Sequence, residues 1–164
     1  MAAGNTYVAI ATQTVSSSVS SVTFSSIPQT YTDLVIVLNP INAGTSDIWC
    51  TFNTDTSTNY SSTWLAGTGT AAASYRISNN ARFYFDYASV SSTTASNSYI
   101  MNLMNYANTT TYKSAIIRGN SPAYATEAAV GLWRSTAAIN QIIITAVTNF
   151  QSGSTLSIYG IAAA

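Results

Sequence analysis

The groups in this chain that could do chemistry are few and scattered. There are five carboxylates, Asp33, Asp47, Asp55, Asp86 and Glu127, each in its own segment. There is one amine, Lys113, one thiol, Cys50, and the guanidinium groups of Arg76, Arg82, Arg118 and Arg134. Histidine is absent. That absence removes Ser-His-Asp and Cys-His catalysis, histidine general-base chemistry and His-containing metal sites. Glycoside hydrolysis needs only two carboxylates, but nothing in the sequence pairs any two of these five. A Ser–Lys dyad would have to use Lys113, whose neighbours form no motif. The chain is therefore expected to be no enzyme, to use no cofactor and to bind no metal.

The remaining motif-like segments read the same way. Asn53-Thr-Asp-Thr-Ser-Thr-Asn59 has the opening rhythm of a calcium loop. It lacks the glycine of the sharp turn and the closing acid, so a turn is expected. Gly67-Thr-Gly69 is followed by no Gly-Lys-Ser/Thr and reads as a strand connection. Cys50 has no partner for a disulfide and is expected to be a buried, inert thiol. The sequons at Asn59 and Asn108 are chance matches in a chain so rich in Ser and Thr. Among the aromatics, Phe52, Phe83, Phe85 and Trp133 are expected in the core. Trp49 shares a strand face with Asp47 and Thr51, opposite Cys50, and is a candidate exposed anchor.

What positions these groups is a chain of unusual composition. Only 6% of its 164 residues are charged, against about 25% in typical domains. Ser and Thr fill 48 positions, a bias towards β-branched and turn residues. With a formal net charge of zero there is no basic field to attract nucleic acid. A near-neutral surface also protects poorly against self-association. No apolar run approaches the roughly 18 residues of a membrane span, and the first residues show neither the basic start nor the apolar core of a signal peptide. No membrane partner is expected.

Period-2 patterns separated by polar turn clusters predict strands near 6–13, 19–26, 31–39, 47–53, 60–66, 73–78, 81–88, 98–106, 112–119, 127–134, 139–148 and 154–161. Residues 121–129 could hold one short helical turn, with Pro122 at its first position. So many short strands without repeat or linker predict an all-β, jelly-roll-like antiparallel β-sandwich, with residues 1–164 as a single domain. In Arg82-Phe-Tyr-Phe-Asp-Tyr87 the alternation predicts Phe83, Phe85 and Tyr87 inside, and Arg82, Tyr84 and Asp86 in water. Two strands break the alternation. Leu34, Val35, Ile36, Val37 and Leu38 are apolar on both faces, as are Ile142, Ile143 and Ile144 with Val147 beyond them. A strand of a two-layer sandwich buries one face, so these residues, with Trp49, are the candidate interface.

Several segments are familiar as such. Ser26-Ile-Pro-Gln-Thr-Tyr-Thr-Asp-Leu34, Phe52-Asn-Thr-Asp-Thr-Ser-Thr-Asn-Tyr-Ser-Ser62, Gly131-Leu-Trp-Arg-Ser-Thr-Ala-Ala-Ile139 and Leu156-Ser-Ile-Tyr-Gly-Ile161 resemble a family of small β-rich virion proteins of tailed bacteriophages, including phages of cyanobacteria and aquatic bacteria. In the second segment Thr54 and Ser57 stand where the family has glycine. The resemblance implies a jelly roll made in the bacterial host cytoplasm and carried on the capsid surface. It further implies a cement or decoration protein whose partners are the major capsid protein and further copies of itself, assembled as a trimer. The alternative it leaves open is a receptor- or glycan-binding module of a tail fibre or spike.

Overall fold

The structure is a computed structural model, and it describes residues 6–44, 47–86, 97–121 and 125–162. Twelve strands follow one another: β1 (Tyr7–Thr14), β2 (Val19–Phe24), β3 (Asp33–Asn39), β4 (Ile48–Phe52), β5 (Tyr60–Gly67), β6 (Ala72–Asn80), β7 (Phe83–Tyr84), β8 (Ser98–Met104), β9 (Lys113–Ser121), β10 (Ala125–Trp133), β11 (Ile142–Phe150) and β12 (Thr155–Ile161). Among the described residues there is no helix. Each predicted strand has its counterpart, although of 81–88 only Phe83–Tyr84 is strand, and residues 87 and 88, with the inward place expected for Tyr87, lie outside the described residues. The helical turn does not: residues 125–129 begin β10, where Ala125, Glu127 and Ala129 alternate inward with Thr126 and Ala128 outward. Residues 122–124 of that expectation lie outside the described residues.

The strands form an eight-stranded sheet, in the order β1-β12-β3-β8-β9-β10-β5-β6, and a four-stranded sheet, β2-β11-β4-β7. Every pairing is antiparallel. The topology becomes clear when β5, β6, β9 and β10 are set aside. In what remains, β1-β12-β3-β8 faces β2-β11-β4-β7, and the chain crosses between sheets at every step except β4 to β7. That is the strand order of a jelly roll. The four strands set aside are two hairpins, β5–β6 and β9–β10. They join edge to edge through β10 and β5 and prolong one sheet beyond the roll.

The core is the seam between the sheets. Leu34, Ile36 and Leu38 of β3, Met101 and Leu103 of β8, and Leu156 and Ile158 of β12 meet Ile48, Cys50 and Phe52 of β4, and Ile142 and Ile144 of β11, all essentially inaccessible to water. Each side chain of this size contributes about 1.5–3 kcal/mol on full burial. Towards the prolonged part of the sheet, an aromatic cluster takes over. Phe52 lies 5.4 Å from Trp133 and 5.8 Å from Phe83, ring centre to ring centre, and Tyr60 stacks on Trp133 at 6.2 Å. Gly131 makes room for it, because a Cβ there would fall 1.9 Å from the Phe83 ring.

The connection from β4 to β5 is the segment that looked like a calcium loop, and it is a tight turn. The Asp55 amide donates to Phe52 O at 2.8 Å, with Asn53 and Thr54 both at positive φ, 51° and 60°. The left-handed region suits Asn but strains the β-branched Thr54. The Asn53 side chain holds the turn to the 138–141 connection, donating to Ala138 O at 2.7 Å and accepting from the amides of Asn140 and Gln141.

Candidate interaction surfaces

Strand register determines which side chains share the outer face of the eight-stranded sheet. Directly paired residues point to the same side, so Tyr159, Val35, Asn102, Ile116, Val130 and Thr63 form one row across β12, β3, β8, β9, β10 and β5. Ser157, Val37, Ile100, Arg118, Ala128 and Leu65 form the next. An outer face is expected to be polar. The two middle rows of this one are largely apolar, with Leu65 64%, Val130 59% and Ile116 44% exposed. A shallow concavity of about 390 Å³ lies over its middle, lined by Tyr7, Val35, Val37, Ile100, Asn102, Arg118 and Tyr159. The rows put Ile100 and Ala128 on either side of Arg118, so its guanidinium stands in apolar company.

The ten candidate interface residues divide by strand parity. Leu34, Ile36, Leu38, Ile142 and Ile144 are fully buried in the core and meet no partner in the folded chain, which corrects the expectation for these five. Both runs read as apolar on two faces; in each, one face serves the seam. Val35 and Val37 belong to the outer face of the large sheet, and Val35 is nearly covered there, between Tyr159 and Asn102. Ile143 and Val147 point outward from the four-stranded sheet, Val147 58% exposed. Ile100, Ile116, Val130 and Leu65 were missed by the sequence reading, although Ile116 beside Ile117 carries the same doubly apolar signal.

Trp49 also lies on the outer face of the four-stranded sheet, partly buried, directly opposite Tyr84. The two rings meet edge to face at 6.2 Å, and the Arg82 guanidinium stacks over Trp49 at 4.3 Å. This is a second, smaller patch, aromatic and cationic.

The ionisable groups are mostly engaged in holding the fold. Asp86 is a correction: alternation put it in water, and it is completely buried. The period-2 pattern ends with β7, and the chain turns inward so that Asp86 accepts from the Ile48 amide at 3.0 Å and from the Tyr99 hydroxyl at 2.9 Å. Burial pushes its carboxyl up to about 8, and the negative charges of Glu127 and Asp47 act in the same direction. Asp86, Glu127 and Asp47, far apart in the sequence, thus lie near enough for their charges to act on one another. Asp86 and Glu127 are both buried.

At Asp55, burial alone would raise the carboxyl. Hydrogen bonds from Asn59, Trp133 and Ser57 instead hold it below its ordinary value. Its Oδ2 accepts from Trp133 Nε1 at 2.7 Å, which ties the turn to the aromatic cluster. Lys113 is buried and donates to the carbonyls of Thr111 and Thr136 at 2.8 and 3.3 Å, and burial lowers its amine. Burial raises the Cys50 thiol far above its ordinary value, so it is unreactive in the fold. Among the described residues, no three acids or thiols are grouped as a metal would need, and no helix is long and apolar enough to cross a membrane.

Fold and surfaces together define an antiparallel β-sandwich of jelly-roll order, prolonged on one side and apolar on one outer face. Compared with known proteins, the chain matches no family model, and no curated protein matches it.

Proposed function

We propose that this chain is a structural protein of a tailed-bacteriophage virion, a cement or decoration protein that stabilises the capsid shell from its surface. The observation that carries the reading is the outer face of the eight-stranded sheet, an apolar area built from several strands around Val35, Val37, Ile100, Ile116 and Val130. Faces of this kind mark protein–protein contact. The sparse charge and the absence of histidine support a structural role over an enzymatic one. The partners in this reading are the major capsid protein and further copies of the chain, in the trimer that the resemblance implies. Apolar contact of this kind persists in molar salt, which screens charges only.

The test is reconstitution. Purified protein added to expanded capsids that lack it is expected to bind saturably and to raise their resistance to heat. Val130→Glu is expected to weaken that binding while leaving the fold intact. The second reading, a glycan- or receptor-binding module of a tail fibre or spike, is favoured by one observation, the Trp49, Tyr84 and Arg82 group on the opposite side of the molecule. Saturable binding to host cells or their purified surface polysaccharide, with none to bare capsids, would replace the first reading by the second.

A further inference from the structure

A β-sheet ends in strands whose outer backbone groups lack partners, and folds usually blunt such edges. Among the described residues, three of the four sheet edges are blunted. β1 carries a bulge between Ala9 and Ala11, the pairing of β2 breaks register against β11, and β7 spans only Phe83–Tyr84. β6 is different. It pairs with β5 without interruption from Ala72 to Ile77, and the register shifts only beyond, between Tyr60 and Ser62.

The hairpin turn shows which backbone groups of β6 are already engaged. The Thr68 amide donates to Ala71 O at 3.0 Å. By antiparallel alternation, Ala71, Ala73, Tyr75 and Ile77 then direct their N–H and C=O groups at β5. Ala72, Ser74 and Arg76 direct theirs outward. Residues 72–76 are exposed on both faces. The strand has no lysine or proline, and its single charge, Arg76, shares the outer face with Thr63.

We propose that β6 pairs antiparallel with β6 of a second copy, about a twofold axis at Ser74, so that the large sheet runs on through both molecules. The sequence is complementary to itself in that register. Ser74 meets Ser74, and Ala72 meets Arg76 of the other copy. On the inner face Tyr75 of each copy stands opposite the other copy's Ala73. The register pairs residues 72–76, all but the last residue of the regular run. Centring the axis on Arg76 instead would set two guanidinium groups directly opposite, a repulsive pair. The contact lies on a different surface from the apolar outer face and stands or falls independently of the capsid reading. A threefold assembly through that face leaves each copy's β6 open.

Sedimentation over a concentration series is expected to show a self-association step. Ser74→Cys is expected to form a disulfide between copies under mild oxidation, because directly opposed Cα atoms lie about 5.5 Å apart; Cys50 is buried and does not compete. Ser74→Pro removes an N–H that points away from β5, so it is expected to stay folded by circular dichroism and lose the step. Ala72→Glu, placed opposite Arg76 twice by symmetry, is expected to tighten association about tenfold, and Ala72→Lys to weaken it by about as much. Monomer throughout the series overturns the proposal. So does a Ser74→Cys variant that gives no intermolecular disulfide, or a folded Ser74→Pro variant that associates unchanged. If Ser74→Pro does not fold, the Ala72 pair decides, and equal association of both with the parent overturns it.

Discussion

β3 and β6 belong to the same eight-stranded sheet, yet among the described residues only β3 has a second layer over its inner face. Every residue of β3 is at least partly buried, and its inner side chains Leu34, Ile36 and Leu38 lie against the four-stranded sheet. β6 is exposed along nearly its whole length. Between these extremes, β9, β10 and β5 bury their inner face with aromatic rings and a lysine stem in place of the aliphatic seam of the roll. The comparison teaches that hydrogen-bond continuity and burial are separate sources of order. The ladder carries the sheet outward beyond the point where apolar burial supports it, and the outermost strand is held mainly by its neighbour.

That difference can be broken most severely inside the roll. Ile142→Glu places an unpaired carboxylate in the seam and is expected to cost more than about 4 kcal/mol, read as loss of the cooperative thermal transition. The same chemical change on the outer face, Val130→Glu, is expected to stay within about 0.5 kcal/mol. Equal losses would mean that the outer face is itself packed in the free protein.

At the junction of roll and extension, Gly131→Ala forces a methyl group into the Phe83 ring. It is expected to cost about 3 kcal/mol by denaturant unfolding, the upper end of overpacking penalties. A neutral result would show that the aromatic cluster shifts freely.

The buried acid sharpens the same boundary through pH. Asp86 titrates near 8 in the fold and near its ordinary 3.8 when unfolded. Below the unfolded value both states hold the proton and this contribution is fully present. Between the two values only the folded state holds it, so stability falls as pH rises through that window. Asp86→Asn keeps an acceptor for the Ile48 amide and cannot ionise. It is expected to flatten the decline and to add on the order of 2 kcal/mol at about pH 9. An unchanged slope in a pH series of thermal midpoints would assign the decline to another group.

The smallest effect is expected at the turn into β5. Thr54→Gly relieves a β-branched residue at φ 60° and is expected to stabilise by about 1 kcal/mol. A loss of stability would mean that the short contact of the Thr54 hydroxyl with Asn53 O matters more than the strain.

Much of this architecture was legible in the sequence, and the reasons it stopped being legible are specific. Twelve period-2 runs marked twelve strands because side-chain alternation is a local property. The roll followed from their number and from the lack of any helical period. Which strands neighbour one another is not local, so nothing in the text of β9, β10, β5 and β6 said that two hairpins would meet and leave the roll. For the candidate interface, alternation told that Leu34–Leu38 has two apolar faces, but not which face meets the second sheet. Asp86 was misplaced because the extrapolated alternation ran two residues past the end of β7, into a backbone held by Ile48. Thr54 was visible only as a departure from glycine in a resembling segment. Its positive φ supplies the physical meaning of that departure.

The neighbour relation of β1 and β12 has a consequence in time. These strands pair along their length, from Tyr7 with Ile161 to Thr14 with Thr155, and Ala162 donates to Thr6 O at 3.1 Å. On a ribosome, β1 emerges long before β12, its one neighbour among the described strands, and β2 likewise waits for β11. Loop closure over such separations is costly, and folds built from distant pairings form slowly. The hairpins β5–β6 and β9–β10 need no such wait, since each closes on itself as soon as it is made. The part of the sheet that burial supports least is therefore expected to form first, while the best-buried part is completed last. During that interval the free edges of β1 and β2 are the surfaces a nascent chain most needs kept from its neighbours.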